Sequence, residues 1–461
     1  MRPRAERRRS SDAIENSSGF ALAGALIFLF VLGIIGISFF AMAGYETRAS
    51  QQDLDSQRAF WLAEGGRERT MKALKVRNRP PDSDTQIFSN VSGPTGGTYS
   101  VMCLVDTSAL FSVEKAFMLD CVGESGGRQR HIRQRIKMIS FAKYGYFTDD
   151  EVAPGGTPIW FATGNVIEGL IHSNGVFKIN GTPQFLGKVT SAADHMTGSV
   201  NNSVYGPTGW PVAGNNPYFQ DSFELNTSNI PLPTETADLF DAATNFGVFN
   251  APATTIELGV SGNGAGVAAP GWFRYQQTPP PASPNWTSVQ ISTLAKPVFY
   301  CNNDIRVDGV LDGELTISGK KNIWIVDDIT YAASDANGQP LPGCNDLLGI
   351  LAEDNILFED NAPTTDNLKV DAVLMALGTS ITAESWNSGV THGTLTIWGG
   401  LIQKYRGPVG QIDGSGALVS GYNKNYHYDP RVTARTPPEF PLTGVYEEVA
   451  WQETRDDSDP F

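Results

Sequence analysis

Residues 19–45, GFALAGALIFLFVLGIIGISFFAMAGY, contain no charged side chain, and a charge first returns at Glu46. The run exceeds the ~20 apolar residues that cross a hydrocarbon core, so it reads as a membrane span. Before it, Arg2, Arg4, Arg7, Arg8 and Arg9 outnumber Glu6, Asp12 and Glu15 and leave a charge of +2. Basic flanks stay in the cytoplasm, so the N-terminus is expected inside and the remainder exported. The run is too long for an ordinary secretory signal, so hydropathy alone describes an uncleaved anchor. The sequence then stays compatible with helix, with no proline until Pro80. One helix from Phe20 to Val76 would extend about 85 Å. Its later apolar positions thin to Leu54, Phe60, Trp61, Leu62, Met71 and Leu74, as expected if one face packs on a globular part.

Two short motifs mark this helix. Ser17-Ser18-Gly19-Phe20-Ala21-Leu22 sets a glycine and an aromatic residue where the basic leader meets the apolar run. Ala59-Phe60-Trp61-Leu62-Ala63-Glu64-Gly65-Gly66 lies in the polar continuation. The first resembles the class III leader of type IV prepilins. The second resembles the AF..AE.G stretch of PilX-type minor pilins and of the K-type pseudopilins of type II secretion. The resemblance covers residues 19 to about 75. It implies cleavage after Gly19 and methylation of Phe20 by a prepilin peptidase. It also implies a stem motif at Ala63, Glu64 and Gly65, and packing of the stem with other pilin subunits. Major pilins carry a Glu at the fifth mature position; Gly24 stands there in this chain, which points to a minor, initiating or capping subunit.

The net charge of −15 argues against nucleic-acid binding, which needs a basic face. A basic cluster outside the leader, Arg128, Arg130, His131, Arg133, Arg135 and Lys137, has the period of a single strand and reads as a solvated face. Cys103, Cys121, Cys301 and Cys344 form no CxxC pair, which speaks against zinc. In an oxidising exterior a Cys103–Cys121 bridge is expected, with Cys301–Cys344 as a second; four buried thiols are the alternative.

The expected fold is α+β: a long N-terminal transmembrane and amphipathic helix, a small antiparallel sheet, then a large mainly-β domain. The divisions are a leader (1–19), a stem helix (20–78, with the span at 20–45), a sheet on the stem (79–141) and a β-rich head (142–461). Phrases such as GNVIEGLIHSNGVFKING and NNDIRVDGVLDGELTISGKKNIWIV alternate and restart after polar corners. They favour an irregular β-helix or solenoid, with a sandwich as the alternative, although no strict repeat length is found. A mostly loop-like insertion with one helical patch is expected at about 194–296. Segments including Ile171–Gly175, Gly399–Gln403, Gly421–Arg431 and Pro437–Pro441 resemble an uncharacterised bacterial domain attached to pilin-like stems, which carries no catalytic residues to transfer.

No catalytic set emerges. Asp308, Asp312, Asp327, Asp328, Glu353 and Asp354 lie at Gly-flanked corners, where Asp bonds its own backbone. A membrane-tethered polysaccharide enzyme built on them is the second reading, and a type II secretion tip pseudopilin the third. Asp335-Ala336-Asn337-Gly338 opens like a calcium loop but lacks the later Glu, so a structural calcium is the only cofactor entertained. Trp210, Trp272 and Trp286, in Pro/Gly-rich surroundings, are candidates for surface recognition, with glycans as partners. The preferred reading is a non-enzymatic minor pilin, held in the bacterial inner membrane and then displayed on a pilus or the cell surface.

Overall fold

A computed structural model describes residues 15–76, 81, 83–94, 96–106, 114–200, 204–205, 214–277, 285–360, 367–413 and 417–454. Helix α1, Glu15–Val76, is one unbroken element of 62 residues. It contains the one described helix that is long and apolar enough to cross a membrane. Two hydroxyls in or beside the apolar half, Ser38 and Thr47, donate to the carbonyls of Ile34 and Ala43, each at 2.8 Å. Polar atoms are thereby satisfied within the helix, as a lipid-facing segment requires.

The second half of α1 lies on a sheet. Ala59, Leu62, Ala63, Met71 and Leu74 are buried at three- and four-residue spacing and make one stripe. The sheet is antiparallel, with β1 (Thr85–Ser92), β2 (Thr98–Val105), β3 (Glu114–Ser125) and β4 (Arg128–Ser140) in sequence order. Its fifth strand is Leu442–Thr454, from the far end of the chain, which pairs antiparallel with β4. Alternate residues of β2 and β3 (Val101, Cys103, Phe117, Leu119, Cys121) face the helix, with Ile132 and Ile136 of β4.

The last strand, read from sequence as part of the head, therefore belongs to the stem sheet. The head is inserted between β4 and this strand, and the two crossings lie side by side. Phe141 N–H and Ser140 Oγ both donate to the Pro441 carbonyl, at 3.0 Å.

The head is a stack of parallel strands. Val248–Asn250, Val298–Cys301, Glu314–Gly319, Leu347–Ala352, Leu368–Ala376 and Thr391–Tyr405 pair in succession; Tyr144–Asp150, Leu170–Ser173, Val189–Ser191 and Phe223–Glu224 continue from the last. One residue of each strand aligns with the next: Val248, Phe299, Ile317, Ile350, Leu374, Leu401, Tyr146, Ile171, Val189, Phe223. A second ladder stacks Ile305, Ile323, Ile356 and Ile381, all buried. The circuit of hydrogen bonds closes on itself, but its parallel registers are those of stacked rungs, whereas an up-and-down barrel would be antiparallel. β-branched and aromatic side chains repeat on one face of each rung, and their burial makes the principal core.

The described residues of 194–296 hold strands besides the expected helical patch. They supply both ends of the stack, Phe223–Glu224 and Val248–Asn250, and a long hairpin, Thr254–Ser261 with Val267–Gln277. They also hold α2, Ala237–Phe246. Leu239, Ala242 and Ala243 of α2 are buried in a second core with Phe141 and Phe147 at the head's entry.

Candidate functional site

The stem and its junction with the sheet hold the motif residues. Phe20, expected at the cleavage and methylation site beside Gly19, lies within α1 and is 84% exposed. No residue of the apolar window is buried, and Phe28, Phe30, Phe39 and Phe40 all project outward. A helix carrying this much uncovered apolar surface needs lipid or other helices around it.

The stem motif is a helix-on-sheet contact. Ala59 and Ala63, one turn apart and fully buried, let the backbone of β3 approach at Gly123. A methyl on Gly123 would overlap the Ala59 carbonyl oxygen and stand 2.7 Å from the Ala63 amide nitrogen. Glu64 ties α1 to the C-terminal strand: its Oε2 accepts from Arg67 Nε of the same helix at 2.8 Å, and its Oε1 accepts from Trp451 Nε1 of that strand at 2.7 Å. Arg67 continues the network by donating to Gln134 Oε1 of β4 at 2.7 Å. Of the two glycines, Gly65 has open space where a side chain would stand, whereas Gly66 presses on Tyr99, whose Cδ2 lies 2.6 Å from an added methyl. The stem motif was read with Gly65, but its pattern laid on residues 59–66 puts the glycine at Gly66, and the packing engages Gly66 together with Gly123.

Two further residues were not legible as partners. Trp451 packs edge-on to Phe60 with ring centroids 6.5 Å apart, and so pins the strand Leu442–Thr454 to the stem. On the opposite face of α1, Leu54 and Trp61 are 45% and 70% exposed and lie two turns apart on one line with Gly65. The basic strand is neutralised, not bare: Arg130 pairs with Glu453, Arg133 with Asp120 at 3.4 Å, Arg135 with Asp106 at 2.7 Å and Lys137 with Glu447 at 3.4 Å. Cross-strand pairs of this kind tie β4 to both neighbours.

The expected disulfides are not formed; all four cysteines are buried thiols. The register sets Cys103 opposite Leu119 and Cys121 opposite Val101, so the two sulfurs are diagonal neighbours where a bridge would need a different alignment. Cys301 Sγ donates to the Pro252 carbonyl at 2.8 Å, and Cys344 Sγ to Asp346 Oδ2 at 3.4 Å. Burial pushes the Cys301 thiol up to about 11 and raises those of Cys121 and Cys344, which keeps them protonated and unreactive.

The tryptophan expectation divides. Trp210 lies outside the described residues. Trp272 is not in a loop: it sits half-buried in a strand opposite Gln290, because Pro270 and Gly271 fall at a register shift where a strand tolerates them. Trp286 is covered by the Arg274 guanidinium, 4.1 Å from its ring, and serves as a local staple.

Of the acids expected at corners, Asp308 lies within the strand Ile305–Leu311 and Asp327 and Asp328 within Ile323–Tyr331, and Glu353 and Asp328 bond backbone. Glu353 Oε1 accepts from Thr236 N at 3.1 Å and so caps α2, and Asp328 Oδ1 accepts from Lys369 N at 2.8 Å. Asp308 differs: burial, together with Glu257 and Asp327 nearby, pushes its carboxyl up to about 6. Asp335 Oδ1 accepts from the backbone of Asn337 and Gln339 at 2.8 and 3.0 Å, which is a turn. Among the described residues no group of three His, Cys, Asp or Glu side chains is placed to hold a metal ion.

Residues 116–193, which run from β3 into the first head strands, match a family described as "Domain of unknown function (DUF4900)". No curated protein matches the chain by sequence. Among solved structures, the competence-associated pilin ComZ from Thermus thermophilus is similar at 13% identity, covering 87% of this chain and 97% of that one, with a TM-score of 0.28. A similarity that low carries neither fold nor function to this chain.

Proposed function

We propose that the chain is a minor pilin-like subunit of a type IV pilus or related filament, with a β-helical head displayed outward. The observation that supports this reading is the division along α1. Its first half is apolar and surrounded by no protein, while its second half is bound into a five-stranded sheet. In this reading the bilayer covers the apolar half first, with the N-terminus cytoplasmic, and stems of neighbouring subunits cover it after assembly. Prepilin peptidase acts at the Gly19–Phe20 bond, and Gly24 leaves the buried stem without the carboxylate of a repeating shaft subunit. The head contributes priming of assembly and contact with surface glycans, and the chain works by packing without catalysis.

Mass spectrometry of the protein purified from its membrane tests this. The expected mature N-terminus is a methylated Phe20. Recovery of an N-terminus at Met1, in a host with an active prepilin peptidase, would overturn the reading.

A further inference from the structure

The chain does not wind the head in one pass. It first lays down Tyr144–Asp150, Leu170–Ser173, Val189–Ser191 and Phe223–Glu224. It then crosses to the opposite end of the stack and winds back from Val248–Asn250 to Thr391–Tyr405. Two half-stacks, 144–224 and 248–428, therefore meet in the middle, where the touching strands are far apart in sequence. The strip that joins them is short. Residues 401–405 lie on residues 146–150, whereas the preceding step carries Leu368–Ala376 along its whole length on residues 395–403.

The two sides of this seam differ. On one side the chain that passes between the half-stacks is tied to both. Asn174 accepts from Ile230 N–H at 2.9 Å and donates to its carbonyl at 2.8 Å, while Thr236 N–H donates to Glu353 at 3.1 Å. On the other side is a cleft of about 60 Å³, walled by Asn165, Val166 and Ile167 of the first half and by Ile397 and Tyr426 of the second. Strand pairing in its walls stays within each half: Val166–Glu168 pairs with Gln184–Leu186, and Leu418–Tyr428 with Thr391–Tyr405. Side chains bridge the gap. Arg406 pairs with the buried Glu151 at 3.4 Å, donates to the Ile159 carbonyl at 3.1 Å and covers the Phe161 ring at 3.7 Å. His427 pairs with Glu168 at 3.5 Å, and Tyr428 Oη donates to the Lys143 carbonyl at 2.9 Å.

We propose that the head is a latched jaw: the half-stacks part at the cleft and along 401–405, turn about the side tied by 225–247, and are held shut by Arg406 on Glu151. Within each half, separation would break full backbone ladders and an apolar column. At the seam it breaks a short strip and a few polar bonds that water replaces as the walls part. The tie points Ile230 and Thr236 are joined by residues 231–235, which extend to about 20 Å at most, so the halves stay within reach and reclose.

Hydrogen exchange by mass spectrometry on the full chain in detergent is the test. Peptides covering 146–150 and 401–405 are expected to exchange together, at least tenfold faster than those covering Leu347–Ala352 and Leu368–Ala376, which pair within one half. Asp150 and Tyr405 are aligned across the seam and half-buried. Neighbouring strands lie about 4.8 Å apart, so Asp150→Cys with Tyr405→Cys permits a disulfide. Its oxidised form should bring seam exchange down to the rate within the half, and reduction should restore it. Glu151→Gln with Arg406→Met removes both charges of the latch and should speed seam exchange at least tenfold more, with Leu347–Ala352 unchanged. The disulfide arm covers the case of a latch variant that fails to fold. Seam peptides as protected as Leu347–Ala352, exchange indifferent to the disulfide, or a latch variant that loosens both peptide sets alike would each overturn the proposal.

Discussion

Gly123→Ala tests whether α1 and the sheet form one unit. The glycine lies where β3 crosses the helix, and the added methyl would meet two backbone atoms of α1, the Ala59 carbonyl oxygen and the Ala63 amide nitrogen. Neither can turn aside as a side-chain tip would. A carbon at ordinary van der Waals separation from both requires the helix to lift by about an ångström, and α1 is continuous on either side of the contact. Lifting also loosens Leu62 and Ala63 over β2 and β3. Overpacking of this sort costs about 1–3 kcal/mol, and the backbone-to-backbone clash points to the upper end. Hydrogen exchange on the detergent-solubilised chain is the assay. Protection should fall in α1 from residue 59 to 74 and in β2–β4, with head strands unchanged. Gly65→Ala is the internal control: nothing lies within 4 Å of its added methyl, so it should be neutral or gain the ~1 kcal/mol that Ala holds over Gly in a helix. Equal protection in both variants would refute the close-contact account of the motif.

Three further outcomes are expected. Glu64→Gln should weaken the anchoring of the C-terminal strand by about 1 kcal/mol, since it replaces charge-assisted bonds to Arg67 and Trp451; faster exchange in residues 446–454 reports it. Asp371 is buried, accepts Tyr331 N–H at 2.9 Å, and is pushed by that burial to about 7. Because the folded value lies above the unfolded one, the fold loses stability as pH rises from about 4 to about 7, by at most about 4 kcal/mol; Asp371→Asn should flatten that slope in urea titrations at pH 5 and 8. Ile350→Ala, in the middle of the apolar column, should cost about 2–5 kcal/mol, read as a lower head denaturation midpoint with the stem sheet's midpoint preserved.

The stem was legible because its signals are local: a charge-free run, then apolar positions at helical spacing. The head's texture was legible from short alternating runs, but its organisation was not. From Phe299 to Leu401 the aligned residues of the column lie 18, 33, 24 and 27 residues apart, since each rung carries its own loops. Alignment in space therefore leaves no fixed period in sequence. The stack is also entered in the middle: the strand next to Leu401 is that of Tyr146, far earlier in the chain. For the same reason Leu442–Thr454 could not be placed on the stem, because its partner β4 is separated from it by the whole head.

The motif shows where matching of residues stops and packing begins. The motif was read as Ala63, Glu64 and Gly65, although its spacing puts the glycine at Gly66, and the residues' roles depend on the rotation of α1 relative to the sheet. Rotation by one residue separates Gly66, pressed on Tyr99, from Gly65, which faces away with Leu54 and Trp61. Glu64 stands between these faces, and its carboxylate reaches both the stem's Arg67 and the returning strand's Trp451. The motif is thus a lock joining α1 to the last described strand, so a head inserted between β4 and that strand is held at both of its ends. Force carried along the stem would reach the head through two crossings and not one. That gives a large inserted head a physical reason to depend on a short stem motif.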